Sequence, residues 1–464
     1  MKINLNLLIE FSFYLGLFFF SFNQIEVMPF LGEYVREFGA IFLFLGFFLM
    51  LFEIFITKKI DFPFKDLLFR LILFFFFFTF ITIIINYSTV QENFFKRISG
   101  FNRFIRQMLS LSIPIFIFLP FFWRVYKNWS IEKIFYSTRK CFFISLLFCT
   151  FYSFWEILYS FFGIYQASKV LDVLSLLPFL KRTYITGGRI AAFTYEAPAL
   201  AIYLITVSGW MFSYILTEKR IIMKILPTFL VLTLTFFSGS RTGLFVIFIL
   251  FLFFIAYLYA VNTYRYQIKL GFIGILILFF LIGFTKSDKI KYAFKEKIES
   301  LDFANNLKSS VSNKTRFGMQ FASIEVFKQN PCFGVGFGQQ AFHTRFYYPR
   351  WSKKDNYEFT EYYLNKKNPS FPPGFNLYLR ISTEMGLFGL FIWIMILFYS
   401  IFLCIKFYKK SNNQLSKILI ISISISLIGL YINWLQIDTF RMYGVWLYFV
   451  ILMLLPYLEL NEKK

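Results

Sequence analysis

The run FRLILFFFFFTFITIIINY, residues 69–87, decides the fold class. A second run, LFVIFILFLFFIAYLYAV at 244–261, has the same character. Runs of roughly 18 or more apolar residues are long enough to cross the hydrocarbon core of a bilayer. The chain of 464 residues is 58% hydrophobic and 24% aromatic, which is too apolar for a water-soluble domain. We predict an all-α, polytopic membrane protein in which the run Phe74–Phe78 faces lipid.

Apolar runs of spanning length predict about twelve transmembrane helices. They lie near 4–22, 39–57, 67–86, 108–123, 141–163, 190–216, 222–238, 242–262, 268–285, 387–405, 417–436 and 442–459. The chain then divides into helices 1–9 within residues 1–285, one large loop at 286–386, and helices 10–12 within 387–464. A shorter amphipathic helix near 165–180 is expected along the outer surface, with Val170, Val173, Leu174 and Leu177 on one face.

The basic residues predict the orientation. The turns on one side, with the two termini, hold 21 of the 48 Lys and Arg residues, the short turns on the other side hold 11, and the large loop holds 16. Long loops are translocated largely regardless of charge, so 21 against 11 places both termini in the cytoplasm and the loop outside. Lipid headgroups and this bias explain the net charge of +23, and nucleic acid is not expected as a partner. The four cysteines show no zinc spacing, and we expect neither metal nor cofactor.

Charged residues beside a span are costly and are therefore functional candidates. In RIAAFTYEAPALAIYL, 189–204, Arg189 lies at the mouth of the sixth span and Glu196 about two turns deeper. The spacing predicts both on one helical face, either as site residues or as a structural ion pair. Pro198 is expected to interrupt that helix.

A tight turn is predicted at SGSRTGLF, 238–245. Its small residues, Ser240 among them, let backbone N–H groups converge on an anion, and Arg241 adds a planar cation. The alternative is an arginine that only reaches the lipid headgroups.

The large loop contains an amphipathic helix that begins near Arg316 and ends at Asn330–Pro331. Phe317, Phe321, Ile324 and Phe327 have helical spacing and are expected to form its apolar face. The glycines of NPCFGVGFG, 330–338, predict a turn more than a nucleotide site, because no strand precedes them.

Other polar residues of the loop are also candidates. His343 is either a general base or an ordinary loop residue. Asn376, Arg380 and Glu384 share one face of the segment that returns to the membrane. Arginines from several segments at one membrane level, Arg189, Arg241 and Arg316 with Arg380 as a fourth, suit a pyrophosphate better than a sugar.

Together, SGSRTGLF, the Arg316 helix with NPCFGVGFG, and NLYLRISTEMGLFGL at 376–390 resemble the O-antigen ligase and O-antigen polymerase superfamily. The resemblance covers roughly residues 189–390. It implies a multi-pass glycosyltransferase of the bacterial inner membrane that has a large periplasmic loop, uses undecaprenyl-diphosphate-linked glycan and needs no metal. By resemblance, Arg241 and Arg316, with Arg189 and Arg380, hold the diphosphate.

The resemblance leaves the general base open among Glu196, His343 and Glu384, and it makes Ser240 and Asn376 further substrate-binding candidates. The ligase branch carries a His-Asn pair where this chain has Phe375–Asn376. A phenylalanine cannot accept a proton, so we favour the polymerase branch. In that branch an arginine is followed by the sequence Ser-Glu-Pro-Ser. The stretch RIAAFTYEAPALAIYL resembles this element, with Glu196 and Pro198 kept and with Tyr195 and Ala197 in place of the serines.

Two other functions remain as alternatives: the ligase reaction, which moves finished glycan to lipid A-core, and transport of the lipid-linked glycan. A transporter would carry an inverted repeat and charges near the bilayer midplane, and the sequence shows neither. Besides membrane lipids, a chain-length regulator and a flippase are the partners that the polymerase reading implies.

Overall fold

A computed structural model describes residues 5–28, 31–182, 189–261 and 310–461. These residues are almost entirely helical, and their only strands are the two-residue pair β1 (Phe94–Phe95) and β2 (Ile98–Ser99), which are antiparallel. The prediction of an all-α membrane protein is confirmed.

The first half of the described chain contains twelve α-helices. They are α1 (Leu5–Phe18), α2 (Phe38–Thr57), α3 (Leu67–Ile85), α4 (Tyr87–Glu92), α5 (Gly100–Ile113), α6 (Leu119–Tyr126), α7 (Ile131–Ser160), α8 (Tyr165–Leu174), α9 (Ala197–Phe212), α10 (Tyr214–Thr217), α11 (Ile221–Ser238) and α12 (Arg241–Ala260). A π-helical turn, Pro114–Phe118, joins α5 to α6, and short 3-10 helices lie at Phe19–Ser21 and Gly32–Arg36.

Six further α-helices follow residue 310. They are α13 (Val311–Gln329), α14 (Gln340–Thr344), α15 (Arg350–Lys353), α16 (Leu377–Lys410), α17 (Gln414–Asn433) and α18 (Tyr443–Asn461), with a π-helical segment at Glu358–Leu364.

Within the described ranges, nine helices are long and apolar enough to cross a membrane, and Leu5–Ser21 and Tyr443–Leu458 are shorter apolar helices. Eleven of the twelve predicted spans correspond to these helices. The remaining one, 268–285, lies outside the described residues, as do residues 286–309 of the predicted loop. The proposed division at 285 and 386 therefore stays a prediction.

The sixth predicted span begins later than expected. Residues 189–196 are not helical, and Glu196 is the residue that precedes α9, with φ −157° and ψ 158°. Pro198 lies in the first turn, where backbone N–H groups have no acceptor within the helix. The missing N–H of proline therefore costs no hydrogen bond, and Pro198 starts the helix instead of interrupting it. The predicted shared helical face of Arg189 and Glu196 is thus wrong.

The interior of the bundle consists largely of aromatic and aliphatic side chains around α9 and α18. Most of Ala197–Thr217 is buried, and Val445–Leu455 is buried on all sides. Gly209 lets α9 approach α17 closely, since an added Cβ would lie 1.9 Å from the Ser422 carbonyl oxygen.

The run Phe74–Phe78 is divided between two environments. Phe75, Phe76 and Phe78 are buried in the core, whereas Phe74 and Phe77 are exposed on the surface of the bundle. The prediction that the whole run faces lipid is therefore wrong for three of its five rings.

Two predicted amphipathic helices exist, with faces that differ from expectation. The helix α8 buries Ala167 and Leu171 and leaves Val173 exposed. The helix α13 has the predicted end at Gln329, but it buries its small residues and exposes Phe321 and Ile324. The small residues fit two close contacts. The Ser323 carbonyl accepts the Thr383 hydroxyl of α16, and a Cβ on Gly318 would lie 2.4 Å from the Ser352 Cβ of α15.

The helix α16 is broken at Gly386, which has φ 67° and ψ −164°. The glycine-rich stretch 331–338 packs into this break. Val335 and Gly336 donate their N–H groups to the carbonyl oxygens of Thr383 and Glu384, at 3.0 and 2.9 Å, and the Leu387 N–H donates to the Pro331 carbonyl at 2.8 Å. The glycines thus form a structural turn, as predicted, and satisfy the backbone groups that the break frees.

Candidate functional site

The first predicted anion-binding segment, the turn between α11 and α12, has the expected compact form. Gly239 adopts φ +65°, and the Ser240 hydroxyl caps α12 by accepting the Gly243 N–H at 3.2 Å. Arg189 lies directly on this turn, since a Cβ on Gly239 would be 2.9 Å from the Arg189 Cγ. The extended segment before α9 therefore delivers Arg189 to the turn that carries Arg241.

Arg241 connects this turn to the loop helix α13. Its Nη1 donates to Asn313 Oδ1 at 3.1 Å, and its Nη2 donates to Ser310 Oγ at 3.4 Å. Ser310 directly precedes α13, and Asn313 lies in its first turn, three residues before Arg316. Arg241 thus fixes the position of the helix that presents the next arginine.

Arg316 lies against the segment that precedes α16. Its guanidinium carbon lies 5.0 Å from the centre of the Phe375 ring. Burial lowers the pKa of Arg316, and the charges of Glu196 and Glu358 act against this shift, while Arg189 adds to it. Arg316, Arg189 and Glu196 are therefore electrostatic neighbours.

We call Arg189, Arg241 and Arg316 the arginine cluster. The structure brings these three predicted residues together with Glu196, although they come from three segments of the chain. Within the described ranges, the guanidinium groups of Arg189 and Arg316 make no hydrogen bond or ion pair. Two planar cations that have no acceptor in the described part of the chain, next to a glycine turn, are suited to an anion with several oxygen atoms.

Two of the predicted substrate-binding residues have structural roles at helix starts. Ser240 caps α12, and the Asn376 side chain caps α16 by accepting the Leu379 N–H at 3.0 Å. Both side chains are buried, with 8% of each residue exposed. Their roles in binding substrate stay predictions.

Arg380 and Glu384 lie in a different place from the arginine cluster. They form a buried ion pair, with Arg380 Nε 3.4 Å from Glu384 Oε2. Arg380 also donates to the Asp438 carbonyl oxygen at 2.6 Å and to the side chain of Gln107. The Arg380 guanidinium is therefore paired with protein groups, and its assignment as a fourth diphosphate-binding residue stays a prediction.

This ion pair lines a polar cavity of about 250 Å³. We use the name polar cavity for the space bounded by Glu33, Arg103, Gly338, Gln340, Ala341, Phe371, Pro372, Pro373, Arg380, Glu384, Asp438, Thr439 and Arg441. Three arginines and three carboxylates thus face one space at the starts of α5, α16 and α18.

Glu33 and Arg441 close one side of the polar cavity. Arg441 Nη1 donates to the Glu33 carbonyl at 2.6 Å, and the Glu33 carboxylate accepts the Thr439 hydroxyl at 2.9 Å. Burial raises the pKa of Glu33, but the charges of Arg380, Arg441 and Arg103 outweigh it and hold that pKa below its usual value. Burial raises the pKa of Glu37 to about 7, although Arg441 opposes the shift.

Sequence reasoning missed Glu33, Arg103, Asp438 and Arg441 as site residues. Arg103 and Arg441 entered the analysis only as charges of short outer turns. The available signal was their position in the sequence, because each of the four residues lies within a few residues of a helix end.

His343, a predicted base, has its contacts elsewhere. Its Nε2 lies 3.4 Å from Asn93 Nδ2, on the connection between α4 and β1. Burial, together with the positive charge of Arg345, lowers the pKa of His343 to about 4. The ring is therefore neutral near pH 7 but is a weak base, and its catalytic role stays a prediction without support from its contacts.

This shift predicts how His343 responds to pH. Replacement by glutamine should leave the pH profile of activity between pH 5.5 and 8 unchanged, since the ring does not titrate there. Unfolding should release the ring to an ordinary pKa near 6.5, so the neutral ring stabilises the fold above that pH and the contribution is lost as pH falls toward 4. Thermal unfolding between pH 4.5 and 7 should show a smaller acid-induced loss in His343→Gln than in the wild type; equal losses would contradict the shift.

The fold defines a polytopic membrane protein, and the structure brings three arginines together beside the turn between α11 and α12. Residues 226–394 match the family model described as O-antigen ligase. This match covers less than half of the chain and supports the predicted resemblance to the O-antigen ligase and polymerase superfamily. It includes Arg241 and Arg316 but begins after Arg189 and Glu196.

The family indicates a polymerase- or ligase-type role in the assembly of O-antigen or another surface glycan, on lipid-linked glycan substrates. A search of the curated proteins finds no match.

Proposed function

We propose that the chain is a surface-polysaccharide polymerase of the bacterial inner membrane. In this proposal both termini are cytoplasmic, and the enzyme joins undecaprenyl-diphosphate-linked repeat units at the periplasmic face. The observation that carries the proposal is the arginine cluster, in which Arg189 and Arg316 lie beside Glu196 with no protein acceptor among the described residues.

The proposed reaction uses the cluster to stabilise the leaving group. A sugar hydroxyl of the acceptor unit attacks the anomeric carbon of the donor chain, a new C–O bond forms with inversion, and the bond from that carbon to the diphosphate breaks. Negative charge then develops on undecaprenyl diphosphate, and the guanidiniums of Arg316, Arg189 and Arg241 stabilise it. Such contacts lower the barrier because they are stronger in the transition state than in the ground state.

Glu196 is the group that we propose accepts the proton of the attacking hydroxyl. It is exposed at the start of α9 and lies within electrostatic range of Arg316 and Tyr363. Glu384 is less suited to this step, since it is buried in the ion pair with Arg380. His343 is less suited because its contacts are with Asn93.

Phe375 supports the polymerase over the ligase. This residue stands where the ligase branch resembled by the sequence has its histidine, and its ring lies under the Arg316 guanidinium. A ring without a proton acceptor leaves the base to another residue. The ligase reaction is the second candidate, because the matching family model is described as O-antigen ligase.

The glycans of cells that lack the protein distinguish the two reactions. A polymerase predicts lipid A-core that carries a single repeat unit after deletion, whereas a ligase predicts long polymer that stays unattached. Complementation with Glu196→Gln should give the deletion pattern, because loss of a general base costs roughly 10²–10⁴-fold in rate.

The matched control for this experiment is Glu361→Gln. It removes the same charge from an exposed position of the loop and should restore the wild-type ladder. A full ladder from Glu196→Gln, at wild-type protein levels, would show that Glu196 is not the base.

A further inference from the structure

The residues of the polar cavity take no part in the bond-forming steps proposed above, yet the cavity has the composition of a binding site. Its volume is about 250 Å³, and it is bounded by both charged groups and the apolar surfaces of Phe371, Pro372 and Pro373. Sites that enclose drug-sized ligands measure roughly 300–1,000 Å³, so this space suits one sugar ring better than a whole oligosaccharide.

The charge of the cavity argues against a second diphosphate site. Arg103, Arg380 and Arg441 are opposed by three carboxylates, those of Glu33, Glu384 and Asp438. A diphosphate would add uncompensated negative charge to a balanced group in a region of low dielectric, which is costly. Hydroxyl groups both donate and accept, so a neutral sugar can use guanidinium and carboxylate groups together.

Arg103 is the guanidinium of this cavity that is available to a ligand. It lies over the Phe371 ring, with its guanidinium carbon 4.4 Å from the ring centre, and within the described residues it forms no hydrogen bond or ion pair. Arg380 and Arg441 are instead held by protein acceptors. The nearby Gln107 side chain is buried, with 1% of the residue exposed, and its Nε2 has no partner among the described residues.

The segment Gly374–Asn376 separates the polar cavity from the arginine cluster. On one side, the Phe375 ring contacts the Arg316 guanidinium. On the other side, the Gly374 N–H donates to Asp438 Oδ2 at 2.6 Å, and Asp438 lines the cavity. The two sites are thus one residue apart along the chain, and both lie at the helix ends where the reaction is proposed.

We propose that the polar cavity is the subsite for a neutral, hydroxyl-rich sugar of the acceptor glycan. Arg103 donates to ring hydroxyl oxygens, Asp438 accepts from a hydroxyl, and Phe371 with the adjacent prolines contacts the apolar face of the ring. This inference rests on the proposed function, in which the donor diphosphate occupies the arginine cluster and the acceptor sugar must approach it from the side.

Binding measurements on the purified, nanodisc-embedded protein test the two sites separately. One probe is inorganic pyrophosphate, for the arginine cluster, and the other is the neutral oligosaccharide released by mild acid from the surface polysaccharide of the same bacterium. Arg103→Gln should weaken oligosaccharide binding roughly 10- to 100-fold, the usual worth of a hydrogen bond to a charged group, and leave pyrophosphate binding unchanged. Arg316→Gln should have the opposite pattern.

The controls separate failure of the subsite from failure of the fold or of the proposed function. Arg106→Gln removes an exposed arginine one turn further along α5 and should bind both probes normally. Phe371→Ala should also weaken oligosaccharide binding. Oligosaccharide affinity that is unchanged in both Arg103→Gln and Phe371→Ala would overturn the subsite, as would loss of pyrophosphate binding in Arg103→Gln. Absence of pyrophosphate binding in the wild type would contradict the proposed function and leave the oligosaccharide result to decide the cavity.

Discussion

Replacement of Arg316 by glutamine should lower the rate of glycan transfer roughly 10²–10³-fold, the loss that follows removal of one donor to a developing anion. The arginine has no hydrogen-bond acceptor among the described residues, so its removal leaves no buried carboxylate without its ion-pair partner. The variant should therefore fold. The measurement is the rate of polymer formation by purified protein from lipid-linked repeat units.

Two further variants sharpen this test. Arg316→Lys should recover part of the rate, because an ammonium group keeps the charge but not the planar pair of donors. Arg350→Gln removes an exposed arginine from the same loop and should keep the wild-type rate. A rate for Arg316→Gln within a few-fold of the wild type would refute the assignment of the leaving group to the arginine cluster.

Replacement of Gly386 by alanine should leave little folded protein. The residue has φ 67° and ψ −164°, a region that glycine alone occupies at low cost, and other residues pay of order 1–3 kcal/mol there. A Cβ would also lie 2.0 Å from the Cys332 carbonyl oxygen, so the 331–338 turn would have to leave the break in α16. Together these costs are a large share of the stability of a typical protein, about 5–15 kcal/mol.

Size-exclusion chromatography in detergent checks this expectation, with the yield of monodisperse protein as the readout. The neighbouring Leu387→Ala is the control, since Leu387 is exposed at the surface of the bundle and its truncation opens no interior space. Normal yield and thermal stability of Gly386→Ala would show that the break in α16 can close or move.

Much of the architecture followed from the sequence because the bilayer demands long apolar runs. Eleven helices lie where such runs predicted them, and the helical spacing of apolar residues also indicated the loop helix α13, which ends at Gln329. Hydropathy could not tell lipid from protein interior, which is why Phe75 and Phe78 were assigned to lipid and are buried. The same limit explains the wrong face predicted for α13. The helix buries Ala322 and exposes Phe321, although the spacing of its apolar residues placed Phe321 on the buried face.

The arginine cluster was also accessible from sequence, since glycine and serine next to Arg241 mark a turn with available N–H groups. The polar cavity was not. Arg103 and Glu33 are separated from Arg441 by more than 300 residues, and only tertiary packing shows that their side chains face one space. The spacing of Arg380 along one helix also could not reveal that Gln107 and Asp438 pair with it.

The break at Gly386 and the polar cavity both depend on residues that are synthesised late. The turn at 331–338 has its backbone partners in residues 383–387, and the polar cavity takes Asp438, Thr439 and Arg441 from the connection between the last two described helices. These partners are synthesised after α5, which carries Arg103, and after the turn at 331–338. The polar cavity therefore lacks part of its lining until residues 438–441 have been synthesised, and a chain that ends before them would have an incomplete cavity.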